Sequence, residues 1–512
     1  MGRGDGNSAG RSWTGRIVVS VVVVVALIGA AGASLTYFWS SLRIDTQGAV
    51  EFTRPLAIPE LASSTVDEDG VRIFDLQMQE GTADLGHGPG TRTWGVNGSY
   101  LGPTVRADRG EDVRINVRNE LGETSTLHWH GMHLPAAMDG GPHQMVEPGQ
   151  TWSPQWTINQ PAGTLWYHPH LHGSTAEHVY RGIAGMFYID DPDGPVLPDE
   201  YGVDDFPIIV QDKNFDDDQL SLSNRKLSEV GIVGEEILVN GTPGPYLEVT
   251  TERVRLRMLN GSNARIFNFG IYSESDGAVL PFTLIGADGG LLPRPALVQA
   301  VQLSPGERID IVAEIPAGTS AVMRSTAPDL GADFWHSRLS GGDDVFDILQ
   351  LRAAPQLETN TPIPSVLAER ENLGEPVEVR QFTLLGTRIN EQRMDMNRVD
   401  AVIDVGATEL WEVTNGDAQP HNFHVHDVQF QVLETDDPML SGVKDTVYIR
   451  PGQTVKLLMR FEDYTDPQVP YMFHCHLLRH EDDGMMGQFV VVREGQEAAV
   501  TAPSGHDGHS HP

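Results

Sequence analysis

Between residues 66 and 495, apolar side chains recur with a period of two. Val113, Ile115 and Val117 alternate with Arg114, Asn116 and Arg118, and Val254, Leu256 and Met258 alternate with Arg253, Arg255 and Arg257. Successive strand residues point to opposite faces, so the alternation predicts half-buried strands with one face on a core and one in water. Helical periodicity is weak throughout, which makes the chain all-β. Alternating strands end at Asn119, Asn260 and Asn415, and turns at Pro148-Gly149, Pro305-Gly306 and Pro451-Gly452 each lead into another. Both features return in the same order at intervals of roughly 140–160 residues, the mark of an internal repeat. They predict three homologous Greek-key β-sandwich domains at 66–195, 200–355 and 375–495. Asp190-Asp191-Pro192-Asp193-Gly194-Pro195 and the stretch from Ala353 to Pro376 supply the linkers.

The first forty residues follow a different pattern. Arg3, Arg11 and Arg16 precede an apolar run that continues from Ile17 through Ala33 to Leu35, Tyr37, Phe38 and Trp39. A basic start and a long apolar stretch, with Ala31-Gly32-Ala33 as a small-residue cleavage site, fit an export signal. Its length and aromatic edge fit a single-pass anchor equally well, with membrane association through residues 17–39. Either reading places the body outside the cytoplasm, membrane-anchored at the cell envelope or secreted. No twin arginine marks the export route. Residues 41–65 are polar and contain proline, as suits a tether, and 496–512 form a His-rich tail that can capture metal weakly.

Composition narrows the function. The 512-residue chain carries 71 acidic against 35 basic residues, a formal charge of −36. That balance disfavours nucleic acid and anionic membrane surfaces as partners and favours cations. A single cysteine, Cys475, can form no disulfide within an exported chain, so its retention needs another reason. It lies in His474-Cys475-His476, with His480 and Met485 following. A thiolate, imidazoles and a thioether together form a soft ligand set suited to copper.

The other histidines cluster as His128-Trp129-His130, His168-Pro169-His170 and His421-Asn422-Phe423-His424-Val425-His426. Ten of the 19 histidines stand at usable positions in these four clusters, which occupy the first and third domains only. A shared metal site is therefore expected where those two domains meet, with the middle domain as spacer and scaffold. On a strand, His474 and His476 face one way and Cys475 the other, so one strand can join two metal sites. Pro169 predicts an edge or irregular strand at that boundary.

These motifs resemble the multicopper oxidases, the family of laccases, bilirubin oxidases and bacterial cuprous oxidases. The resemblance covers roughly residues 70 to 493 and runs through His-Trp-His-Gly at 128–131, Trp-Tyr-His-Pro-His-Leu-His-Gly at 166–173, His-x-x-His-x-His at 421–426 and the cysteine motif. Asp139-Gly140-Gly141-Pro142 and Met396-Asn397 are similar to the bacterial copper-efflux branch. The resemblance implies three cupredoxin-like domains and four copper ions. Cys475, His421 and His480 would form the type 1 site with Met485 axial, and His128 and His424 the type 2 site. His130, His168, His170, His426, His474 and His476 would hold the type 3 pair. Electrons from a small-molecule or metal-ion donor would enter at the type 1 copper and reduce dioxygen, the co-substrate, at the other three. Asp139 and Glu481 match carboxylates that deliver protons, and Asp417 would orient His421 or guide a cationic donor.

The chain also departs from the family pattern. Asp427 follows His426 where relatives usually carry glycine, and Arg479 stands where the efflux branch is often acidic. From Gly331 to Gln381 there is no methionine, so the methionine-rich insertion of the efflux oxidases is absent. Met394 and Met396 remain near the expected electron entrance. His133, His143, His172 and His178 lie beside the motifs without matching ligand positions. Three functions follow: a laccase-like oxidase of phenols and similar donors; a metallo-oxidase for Cu(I), Fe(II) or Mn(II); or a copperless envelope scaffold resembling the family's cell-division members, against which the full ligand set argues.

Overall fold

The computed structural model describes residues 37–500, with isolated positions between 20 and 32. Residues to Ile44 form one unit and those from Asp45 another. Positions 20, 23, 27, 29, 32 and 37–41 are helical. Among the described residues no helix is long and apolar enough to cross a membrane. The expected signal or anchor over 17–39 lies mostly outside the described residues, and the histidines of the tail lie wholly outside them.

From Asp45 onward the chain is built of strands. A six-stranded sheet containing Arg72–Ala83, Asp112–Asn119 and Thr91–Val96 faces a four-stranded sheet of Val105–Asp108, Gly185–Asp190, Gly163–His168 and His128–His130. Phe74, Leu76, Ile115 and Val117 from one sheet pack with Trp129, Leu165 and Phe187 from the other. Two seven-stranded sheets follow, then a six- and a five-stranded sheet whose shared core includes Phe382, Trp411, Phe423, Phe473 and Phe489. In each sandwich a parallel pair recurs: Arg72–Ala83 with Asp112–Asn119, Asp205–Lys213 with Val254–Asn260, and Glu378–Leu385 with Thr408–Asn415.

The two repeated sequence signals are parts of one corner. Asn119 Nδ2 donates to the carbonyls of Glu123 and Val146, Asn260 Nδ2 to those of Arg265 and Leu303, and Asn415 Nδ2 to those of Gln419 and Ile449. Each asparagine's carbonyl accepts the N–H of the repeat glycine, Gly149, Gly306 or Gly452, at 2.7, 3.0 and 2.9 Å. A buried amide that satisfies several backbone groups at once fixes how the chain leaves its strand. The first and third corners open into the segments carrying His128 and His421.

Two expectations are corrected. The expected tether at 41–65 is largely built into the fold: Arg54–Pro55 pairs with Pro245–Tyr246, Leu56 is buried, Leu61 bridges Thr104, and Ser64–Val66 pairs with Arg72–Phe74. Strand Val254–Asn260 is buried on both faces, unlike Asp112–Asn119. Its arginines are neutralised, Arg257 by Asp205 at 2.8 Å and Arg255 by Asp310, and Arg257 lies 4.0 Å over the Tyr188 ring of the first sandwich. A charged side chain tolerates burial when it is paired and its donors are used.

Candidate metal centre

Strand Tyr471–His474 ends at the sole cysteine, and helix Leu478–Asp482 follows it. Cys475 Sγ lies 3.5 Å from His421 Nδ1 and 3.7 Å from His480 Nδ1, and those two nitrogens are 3.1 Å apart. All three residues are buried, as is Met485, whose carbonyl accepts the Cys475 N–H at 3.1 Å. His480 Nε2 donates to the Glu229 carbonyl at 3.1 Å, and His421 Nε2 stands 3.5 Å from Asp417 Oδ2. Each imidazole therefore presents Nδ1 to the sulfur.

The other eight histidines converge on the opposite side of the same strand. His128–His130, Gly163–His168 and His421–Val425 belong to the small sheets of the first and third sandwiches, and their ends meet at the boundary. One trio is His170, His426 and His474, with Nε2–Nε2 distances of 3.1 Å from His474 to His170 and 3.3 Å to His426. A second is His130, His168 and His476: His168 Nε2 is 3.3 Å from His130 Nδ1 and 3.4 Å from His476 Nε2. His128 and His424 lie between them, and their Nε2 atoms have no hydrogen-bond partner. Pro169 falls just beyond the strand's last residue, so it removes no ladder bond.

The outward nitrogens fix the orientation of these rings. Nδ1 donates to the Asp139 carbonyl from His128, at 2.9 Å, and to the Asp445 carbonyl from His424, at 2.8 Å. It donates to the Pro169 carbonyl from His168 and to Asp139 Oδ2 from His426, both at 2.8 Å. Glu481 lies 3.2 Å from His474 Nδ1 and 3.4 Å from His170 Nδ1. Such outer partners set which ring nitrogen carries the proton. The inward Nε2 atoms of His426 and His474 are thereby left as lone pairs aimed at each other, and that of His168 is aimed at His130 and His476.

A family model for multicopper oxidases matches residues 77–194, and another matches 363–495. The multicopper oxidase mco of Staphylococcus haemolyticus is 34% identical over 85% of this chain and 92% of its own length. The chain belongs to the multicopper oxidase family. The cell division protein FtsP of Xenorhabdus nematophila is 36% identical over 79% of this chain and 86% of its own. A laccase from Pediococcus acidilactici superimposes with a TM-score of 0.77 at 32% identity, over 86% of this chain and 94% of that one.

Copper is the cofactor that membership in this oxidase family implies, and the donor set suits it. Facing lone pairs at about 3.3 Å repel unless a cation lies between them. Burial holds the imidazoles of His168, His170, His426, His474 and His476 well below the ordinary histidine range, which keeps them neutral as ligands. Burial also pushes the Cys475 thiol up to about 12, so metal must displace its proton on binding.

Sequence reasoning missed several residues of this multicopper oxidase. Asp445 Oδ1 lies 3.0 Å from His130 Nε2, and Arg308 of the middle sandwich holds that carboxylate. Asp445 also groups with His130 and His424 as a possible metal set. Because His424 Nδ1 is already donating to the Asp445 carbonyl, this group is better described as the outer wall of the cluster. Asn422 Oδ1 accepts the His476 N–H at 2.7 Å, while its Nδ2 donates to the Pro305 carbonyl at 2.8 Å. The middle sandwich therefore touches the centre directly. A Cβ on Gly306 would lie 3.1 Å from the His476 ring, and the positive φ of 84° there also calls for glycine.

Asp427 adopts φ 68° and has a partner that glycine could not have. Its Oδ1 is 2.8 Å from His133 Nδ1, and His133 Nε2 is 2.9 Å from Asp463. Burial opposes a charge on His133, yet the two carboxylates raise it to about 9. A folded value above the unfolded one means that this stability is fully present below about pH 6.5 and is lost as pH rises through about 9, on the order of 2 kcal/mol after screening of the exposed Asp463. Wild type should therefore lose more unfolding free energy between about pH 6 and about pH 10 than His133→Gln does. Equal losses would exclude the clamp.

Proposed function

We propose that this multicopper oxidase couples one-electron oxidation of a phenolic or similar small donor to the four-electron reduction of dioxygen to water. The observation that carries the reading is the convergence of the ten clustered histidines and Cys475 into two adjoining buried groups. In this reading Cys475, His421, His480 and Met485 would hold the type 1 copper. His128 and His424 would hold the type 2 copper, and the trios His130, His168, His476 and His170, His426, His474 would hold the type 3 pair. Copper bound there supplies one-electron exchange at the sulfur and multi-electron reduction of dioxygen at the histidine cluster. Consecutive peptide units of His474-Cys475-His476 connect the two groups through bonds. Asp139 Oδ2 accepts the His426 Nδ1–H and Glu481 stands beside the His170 and His474 rings, positions from which both would pass protons to the cluster, and the buried walls exclude water. The basic, apolar opening of the chain supports a working place outside the cytoplasm.

At the electron entrance, Asp417 is 16% exposed beside the His421 ring. Its bond to His421 and the N–H groups of Gly386 and Ala418 outweigh burial and hold its carboxyl well below the usual range, so it stays ionised. An ionised carboxylate there accepts a hydrogen bond from a phenol O–H and orients it on the imidazole edge. The metal-ion reading draws support from the same place, because Asp417 at His421 and the exposed Glu229 at His480 offer hard oxygen donors suited to Fe(II) or Mn(II). Gln419 there, rather than a thioether, bonds the Glu229 carboxylate, which suits Cu(I) less well.

Oxygen uptake by the copper-loaded protein with a methoxyphenol, Fe(II), Mn(II) or Cu(I) tests this reading. Uptake should be fastest with the phenol, and Asp417→Asn should lower kcat/KM for it about tenfold while leaving the blue absorbance in place. Faster uptake with a metal ion and none with the phenol would replace the laccase-like reading by the metallo-oxidase one.

A further inference from the structure

Arg308 lies on strand Arg308–Ala313 of the middle sandwich and is fully buried. All five of its N–H groups are used. Nε donates to the Thr164 carbonyl at 3.0 Å, Nη1 to the Gly306 carbonyl at 3.0 Å and Asp445 Oδ1 at 2.7 Å, and Nη2 to the Asp288 carbonyl at 3.0 Å and Asp445 Oδ2 at 2.6 Å. One guanidinium thus joins three sandwiches: Thr164 lies on the strand that ends on His168, Gly306 lies against the His476 ring, and Asp445 faces His130. The pair packs on the backbone itself, since a Cβ on Gly131 would lie 2.5 Å from Asp445 Oδ2 and 2.7 Å from Arg308 Nη2. A two-pronged Arg–carboxylate bond sets the plane of the carboxylate as well as its charge.

That orientation has a chemical consequence for His130. A carboxylate only accepts hydrogen bonds, so the ring nitrogen 3.0 Å from Asp445 Oδ1, His130 Nε2, must carry the proton. Nδ1 is then bare and faces the bare Nε2 of His168 at 3.3 Å. His128, His168, His424 and His426 are arranged the other way, with Nδ1 bonded outward. We infer that Arg308 is a positioning residue that acts through Asp445 to hold His130 as its Nε2–H tautomer, so that the middle domain, which contributes no ligand, governs whether the trio His130, His168 and His476 takes metal. The inference does not depend on which donor the enzyme uses.

Removing one charge would strand the other in the interior, so the test removes both as Arg308→Gln with Asp445→Asn. In that variant the amide introduced at position 445 is free to donate its own N–H to His130 Nε2, which moves the ring proton to Nδ1. Two readouts separate positioning from packing. Nitrogen-15 histidine NMR of the copper-free protein, with the His130 signals assigned from His130→Gln, should show the Nε2–H form in wild type and its loss in the double variant. Copper analysis after loading should fall from about four to about three ions per chain, with the blue absorbance of the Cys475 site intact. An Nδ1–H tautomer in wild type would overturn the inference even if the double variant did not fold. So would a folded double variant that keeps all its copper and the wild-type tautomer.

Discussion

Cys475→Ser is expected to remove the blue absorbance and reduce oxidase turnover below detection while the protein still folds. The thiolate is the one soft anionic ligand of the sulfur-centred group, and a serine hydroxyl at neutral pH stays protonated and binds copper poorly. The fold tolerates the change because the two side chains are nearly equal in size and Asn422 Oδ1, 3.5 Å from Sγ, can accept a hydroxyl proton. His474 and His476 are fixed by other contacts, so the histidine cluster should still load. The copper-free variant should melt within a few degrees of wild type, and metal analysis should find about three ions per chain. Normal turnover in this variant would refute electron entrance at Cys475.

Much of this was legible in the chain because the chemistry is local in sequence. Each histidine pair is spaced two residues apart at a strand or its end, so the pairing was visible, and for His128 and His130, which share a strand, the common facing follows from the two-residue period. The recurring asparagines and Pro-Gly turns marked the three sandwiches, and the structure shows why both recur: they are hydrogen-bonded to each other. Arg308 and Asp445 were not legible, being 137 residues apart with no motif to mark them. The middle sandwich was read as a spacer for the same reason, since it carries none of the ligand clusters and acts through backbone carbonyls and one guanidinium. Alternation at Val254–Asn260 suggested a wet face, and only the tertiary partners Asp205 and Asp310 reveal it as an internal seam. The polar composition of 41–65 suggested a tether because backbone pairing leaves no mark on composition.

Asp139→Asn is expected to slow dioxygen reduction about 10²–10⁴-fold, the range a positioned proton donor supplies, without bleaching the blue site. Asp139 is buried, with its carbonyl on His128 Nδ1 and Oδ2 on His426 Nδ1, while Oδ1 makes no hydrogen bond. The backbone contact survives any substitution, and an asparagine oxygen can still accept from His426, so the variant should bind copper as before. An amide cannot take up and return a proton, and that is the one capacity removed. Water formation consumes four protons per dioxygen, and this carboxylate stands against ligands of two groups in the cluster. Stopped-flow measurement separates the two half-reactions: anaerobic reduction by the donor should match wild type, and re-oxidation by dioxygen should be slow. Glu481 lies between His170 and His474 on the other side of the same cluster, and in the proposed reading it would account for the activity that remains. Unchanged re-oxidation in Asp139→Asn would leave Asp139 with an orienting role only, and slowed anaerobic reduction would place its effect at the donor side instead.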